Sequence, residues 1–158
     1  VSDAAWLTPE RIGIAAQILD SHRRAFAAPL LAGCGPERPR QQAAQELFAA
    51  PAVVVAHDGG ADPRLIYANR EALRLWRRSW DELVGLPSRL TAEPGQRQER
   101  AAALERARRW GAIEGYGGIR IDSHGRRFRI AGARLWCLRD AVGQPCGQAA
   151  GFESWWWL

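Results

Sequence analysis

The spacing of apolar residues changes character near residue 50. Before it, Ile12, Ala15, Ala16, Leu19 and Phe26 recur at helical intervals, predicting one amphipathic helix. Thr8 can cap that helix with Pro9 at its first position, and Pro29 stops it, so it should run to about Ala27. Leu31 to Arg40, rich in Gly and Pro, reads as a linker. A second helix is expected from about Arg40 to Ala49, carrying Ala44, Leu47 and Phe48.

After residue 50 the pattern shortens. Ala52 to Ala56 is a compact β-branched run and predicts a buried strand. His57 to Pro63 has the Gly, Asp and Pro content of a turn, so Arg64 to Ala68 should return as a second strand. Asn69 can cap a helix from Arg70 to Arg78 with Leu73 and Trp76 inward. Ser79 opens a short helical turn containing Trp80, Leu83 and Val84, ended by Gly85 and Pro87. Gln96 to Gly111 predicts the longest polar helix, with a narrow seam of Ala103, Leu104, Ala107 and Trp110. Three strands follow: Ile113 to Ile121, Arg127 to Leu138, and Cys146 to Trp155. Hairpin turns at Ser123-His124-Gly125 and Asp140-Ala141-Val142-Gly143 join them, and Gly132 marks a bulge or bend.

Two strands, a helical middle and three strands make an α+β class. The expected architecture is a five-stranded antiparallel sheet with helices on one face. Residues 1–50 are expected to form an N-terminal helical extension packing on a core of residues 51–158, within a single domain overall.

Composition changes this picture little. The chain has 158 residues, 47% hydrophobic and 25% charged, which suits one ordinary globular domain. No apolar run reaches the ~18 residues of a membrane span, and no basic and apolar leader opens the chain. No membrane partner is therefore expected, and the expected location is cytoplasmic. The net charge is +5, and every basic side chain is Arg. These arginines are spread over all segments among Glu and Asp rather than gathered on one face, so no nucleic-acid partner is expected. Cys34, Cys137 and Cys146 are odd in number and form no CxxC pair. Reduced thiols are expected rather than a disulfide framework or zinc site, with Cys137 and Cys146 on adjacent strands.

Particular segments resemble a known fold. Ile66-Tyr67-Ala68-Asn69-Arg70-Glu71-Ala72 is similar to the PAS entry into its first core helix. Trp80-Asp81-Glu82-Leu83-Val84-Gly85 and Asp140-Ala141-Val142-Gly143-Gln144-Pro145-Cys146-Gly147 resemble later PAS segments. A narrower resemblance rests on Ser21-His22-Arg23-Arg24, Ala68-Asn69-Arg70-Glu71-Ala72-Leu73, Leu86-Pro87-Ser88-Arg89-Leu90-Thr91-Ala92-Glu93-Pro94 and Gly147-Gln148-Ala149-Ala150. These look like a bacterial stand-alone member of the MEKHLA-domain family, a PAS-like family also found at the carboxyl end of plant class III homeodomain-leucine-zipper regulators. The resemblance spans Ser21 to Trp155. It implies a PAS-like sensory or interaction module and carries no reaction over to any residue.

In such a fold the core helices and inner sheet face surround a cavity. Leu73, Trp76, Trp80, Leu90, Ile119, Ile121, Phe128 and Ile130 are candidates to line it, with Tyr67 and Trp110 as further rings. Asn69, Ser88 and Arg89 are candidate polar groups. The alternative is that the rings fill the core. His22, His57 and His124 stand apart from one another, so no metal site is expected, and a capping or turn role at His57 is preferred to haem or metal ligation. The Asn-Cys-Arg-type word of flavin photosensors is absent, and the cofactor stays unassigned. Ser88 lacks a nucleophile elbow, and Asp58, Asp62, Glu93 and Glu99 form no evident carboxylate pair, so no catalytic residue is assigned. In Trp155-Trp156-Trp157-Leu158 strand alternation turns at least one ring outward. Trp155, Trp156 and Trp157 are candidates for a homodimer interface, or for cover by the N-terminal helix. Three functions remain open: a module sensing a small ligand or a protein partner, a homodimerisation module with a filled core, and a small enzyme using the cavity.

Overall fold

Asp58, Asp122 and Asp140 each open a hairpin. The Asp58 Oδ1 accepts from the Gly60 and Arg64 amides, Asp122 Oδ1 from His124 and Arg126, and Asp140 Oδ1 from Val142 and Gln144. An aspartate in this position satisfies turn amides that no strand can reach. In the computed structural model, which describes residues 4–33 and 37–158, these turns organise an antiparallel sheet. Cys34 lies outside the described residues.

Strand β1 (Val53–Asp58) pairs with β2 (Leu65–Ala68) on one side and with β5 (Pro145–Phe152) on the other. Strand β4 (Arg127–Arg139) lies between β5 and β3 (Ala112–Ile121), giving the order β2-β1-β5-β4-β3. The expected final strand divides at Glu153. Its last part, β6 (Ser154–Trp157), continues the pairing along β4, from Ala131↔Ser154 to Phe128↔Trp157. The sheet among the described residues therefore has six strands rather than five. The division falls where β1 ends at Val53↔Phe152, so β6 runs on with a partner on one side only. Gly132 has φ 65° and lies where the β3–β4 register slips, the bulge expected of it.

The sheet separates two apolar cores. On one face lie α3 (Arg70–Trp76), α4 (Trp80–Leu83), a 3-10 turn at Ser88–Thr91, and α5 (Pro94–Trp110). Their apolar side chains, including Trp76, Leu83, Ala103 and Ala107, meet Val53, Phe128, Ile130, Leu135 and Phe152. Ser79 caps α4 in a reciprocal capping box with Glu82. The opposite face is covered by α1 (Pro9–Phe26) and α2 (Arg40–Ala49). There Ile18, Leu19 and Leu47 pack against Val54, Tyr67, Trp136 and Leu138. The Trp136 indole N–H donates to the Ile18 carbonyl at 3.3 Å, fixing α1 to the sheet. Cys137 faces α5, with Sγ 3.6 Å from the Ala107 carbonyl, whereas Cys146 lies beside Gln17 of α1. These two thiols are on adjacent strands but opposite faces, and both are free.

Candidate functional site

A cavity of about 60 Å³ lies between the sheet and the helices on its α3–α5 side. Its apolar wall includes Val55, Leu65, Trp76, Ile130, Leu135 and Phe152, with Leu104 contributed by α5. Alternation accounts for the sheet part of this wall. Val55 pairs with Ala150, Ala150 with Leu135, and His57 with Gln148, so these residues share one face.

The polar lining comprises His57, Thr91, Arg100, Tyr116, Arg120 and Gln148. Tyr116, Gly118 and Arg120 occupy alternate inward positions of β3, and all three are buried. Arg120, only 6% exposed, donates to the Tyr116 hydroxyl and to the Ile119 carbonyl, both at 2.9 Å. The Tyr116 hydroxyl in turn donates to Glu99 Oε2 at 3.2 Å. Gly118 leaves room for this arrangement. A Cβ there would stand 2.7 Å from the Tyr116 hydroxyl and 3.1 Å from Arg120 Nη1.

The other polar groups are less completely satisfied. Gln148 Nε2 donates to the Leu104 carbonyl at 2.8 Å, tying β5 to α5. His57 Nδ1 donates to the Asp58 carbonyl at 2.8 Å, which leaves Nε2 as the acceptor of a neutral imidazole. That Nε2 is buried without a partner, and so is the Trp76 indole N–H. Burial, with Arg100 acting in the same direction, pushes His57 below its ordinary pKa. Burial, reinforced by the Arg120 charge, brings Arg100 down to about 10. Neither Arg100 nor Arg120 belongs to an ion pair among the described residues.

Of the residues selected from sequence, Trp76 and Ile130 line this cavity. Tyr67 and Trp80 meet edge to face at 5.7 Å in the core beneath α1 and α2, where burial holds the Tyr67 hydroxyl well above its ordinary pKa. Asn69 is buried and holds backbone on all sides. It accepts from Val54 and Ala72 and donates to Ala52 and Leu47. Ser88 is buried outside the lining with an unpartnered Oγ. Arg89 is exposed and paired with Asp62 at 3.1 Å. Leu73, Leu90, Ile119 and Ile121 are half-buried. Trp110, at the end of α5, is 74% exposed.

Phe128 packs against Trp76 at 5.3 Å and against Trp155 and Trp157 at 6.1 and 5.8 Å. Trp155 and Trp157 thus lie on the α3–α5 face, while Trp156 turns to the other and is 48% exposed. His57 is the last but one residue of β1 rather than the start of the turn. No group of three His, Cys, Asp or Glu among the described residues could hold a metal ion. Arg100, Tyr116, Arg120 and Gln148 escaped the sequence reading. The signal for two of them was the inward alternation Tyr116-x-Gly118-x-Arg120, which carries an arginine into the core.

The family model of the MEKHLA domain matches residues 12–157. Solved structures similar in fold include the PAS domain of a protein from Colwellia psychrerythraea, with a TM-score of 0.61, 16% identity, and coverage of 70% of this chain and 92% of that one. A light-oxygen-voltage domain studied with a flavin analogue aligns at TM-score 0.58 and 17% identity, over 74% and 84% of the two chains. An RNA-binding light-oxygen-voltage receptor aligns at TM-score 0.61 and 17% identity, over 78% of this chain and 35% of the receptor. No curated protein sequence matches the chain. The cavity does not fit a flavin. The three fused rings of a flavin are far more than about 60 Å³ can take, at about 10–15 Å³ for each water-sized position, and neither Cys137 nor Cys146 lines the cavity.

Proposed function

The chain belongs to the MEKHLA domain family and has a PAS-like α+β fold, and from that premise we propose that it is a sensory module taking a small molecule into the cavity beside α3 and α5. It acts by binding rather than by catalysis, and the cytoplasm is its proposed location. No helix among the described residues is long and apolar enough to cross a membrane.

One observation carries this reading: His57 and Trp76 line the cavity, and the His57 Nε2 and the Trp76 indole N–H are buried without a partner. A buried polar atom without a partner costs about 1–3 kcal/mol. Of the five such atoms among the described residues, these two belong to residues around this cavity. A bound molecule would satisfy them, and its preference for one arrangement of the surrounding helices would supply the signal. Native mass spectrometry of freshly purified protein tests the reading. A retained small molecule, lost on substitution of Trp76 by Phe together with His57 by Leu, is the expected result. A bare chain that also binds no member of a small-molecule panel would refute it.

A second reading concerns assembly. Trp156 of β6 and Leu158 just beyond it are 48% and 53% exposed, and the outer edge of β6 has no strand partner among the described residues. Such an edge and such apolar side chains suit a second copy of the chain. Sedimentation velocity across a concentration series tests this.

A further inference from the structure

Resting on the reading of the cavity as a ligand site, we propose that its ligand is a short-chain carboxylate, held at its head by Arg100 and Arg120 and along its tail by the apolar wall.

Two guanidiniums line one small cavity, close enough for Arg120 to lower the pKa of Arg100. Arg120 is buried and hydrogen-bonded only to neutral oxygens, those of Tyr116 and Ile119. Glu99 reaches it through the Tyr116 hydroxyl rather than directly. Arg100 makes no hydrogen bond or ion pair within the protein among the described residues. Two like charges brought together in a partly dry site, without a counter-ion, destabilise the fold. An anion entering between them reverses that cost. Guanidinium is the side chain best shaped for a planar two-oxygen head group.

The size and walls narrow the class. At about 10–15 Å³ for each water position, 60 Å³ holds on the order of four to six heavy atoms. That is the size of a carboxylate with a two- to three-carbon tail. Inorganic phosphate would also match the charge, but Val55, Leu65, Ile130, Leu135 and Phe152 offer nothing to its remaining oxygens. They suit methylene groups instead. The Trp76 indole N–H adds a neutral donor for a second oxygen; His57 Nε2, an acceptor in the neutral ring, donates to the carboxylate only after taking up a proton with the anion.

The test uses the full chain and four probes: butyrate, butyramide, n-butanol and inorganic phosphate, each at millimolar concentration and constant ionic strength. Calorimetric titration and thermal unfolding are the readouts. Butyrate should bind and raise the melting midpoint by several degrees, with butyramide at least about tenfold weaker, the loss expected when a charged hydrogen bond is removed, and phosphate weaker as well because the apolar wall leaves its remaining oxygens unpaired. Arg100→Gln and Arg120→Gln should each weaken butyrate by about tenfold or more. Arg100→Gln, which breaks no bond inside the protein, should also unfold at an equal or higher temperature than the parent when no probe is present. That gain would separate lost binding from lost folding.

Binding of butyramide or n-butanol as tight as that of butyrate would overturn the carboxylate assignment while leaving the cavity as a ligand site. Tighter binding of phosphate than of butyrate would do the same. Binding of none of the four would overturn this assignment, and a chain that also carries no molecule through native mass spectrometry would remove the sensory reading as well. Unchanged butyrate affinity in Arg100→Gln would overturn the assignment by itself.

Discussion

The side chain of Asn69 receives the Val54 amide at 3.0 Å, joining the start of α3 to strand β1. The same oxygen caps α3 through Ala72, and the amide nitrogen reaches Ala52 and Leu47. One buried amide therefore ties together α2, β1 and α3. Asn69→Ala should lose about 2–4 kcal/mol of stability, because Val54 N–H and Ala52 C=O would be buried unpaired. Denaturant unfolding followed by tryptophan fluorescence measures it; a loss below about 0.5 kcal/mol would contradict the role given to this side chain.

Gly147 is the tightest point of the β1–β5 ladder. A Cβ there would stand 2.2 Å from the His57 carbonyl oxygen, a contact with backbone that no rotamer change can relieve. Gly147→Ala should cost about 3 kcal/mol, the upper end of overpacking effects. It should also perturb amide signals at Asp58 and Gly147, which hydrogen-exchange NMR would locate. Gly13→Ala, with nothing within 4 Å, serves as the control and should not destabilise, since it removes a mid-helix glycine.

Acid should weaken the fold through two histidines. Burial lowers the pKa of both His57 and His22 from the ordinary 6.5. Around His57, Arg100 acts in the same direction and Asp58 opposes. Around His22, Arg134 and Arg23 act in the same direction, while the Ala28 carbonyl and Glu114 oppose. The unfolded chain takes up these protons near pH 6.5, and the folded chain resists until lower pH. Stability is therefore full above 6.5 and falls as pH drops from there through the folded values. Unfolding midpoints measured from pH 8 to pH 5 should decline on the acid side, and less so in His22→Gln combined with His57→Gln. A flat profile in the parent would exclude this assignment.

The tryptophans of β6 should divide by face. Trp157 packs on Phe128 and beneath Arg126, whose guanidinium lies 4.1 Å from its ring. Trp157→Ala should therefore lower stability by about 2–3 kcal/mol, below a fully buried aromatic truncation because the ring is half-exposed. Trp156→Ala should leave the melting midpoint within about 1 °C and weaken self-association in sedimentation velocity. Equal sedimentation of parent and Trp156→Ala would exclude Trp156 as a contact between copies.

The sequence made most elements legible because their stops are chemical. Thr8, Asn69 and Ser79 are helix caps in the structure, and Gly125 and Gly143 sit at positive φ in the hairpin turns. The helix over residues 94–110 begins two residues early because Pro94 is itself favoured in a first turn. The division at Glu153 was not legible, since it depends on where β1 stops rather than on residues 152–154. The cavity was legible as a location but not as a lining. Tyr67 and Trp80 face the other core, because α1 and α2 cover a sheet face that would otherwise meet water. Large rings could fill either core, and size alone did not say which. Arg100 and Arg120 resemble twenty other arginines in the chain. Only the side of the strand or helix on which they sit distinguishes them, and on α5, with its narrow seam, an inward arginine reads as surface.

Leu135 and Trp136 are neighbours in β4 that point to opposite sides of the sheet, one into the cavity wall and the other into the bed of α1. Gln148 and Ala149 repeat the arrangement one strand over. The partition between the chamber and the N-terminal helix is thus a single backbone thick. A displacement of these strands by whatever fills the chamber needs no relay of intervening side chains to be felt at Ile18, and α1 is the element best situated to report occupancy outward.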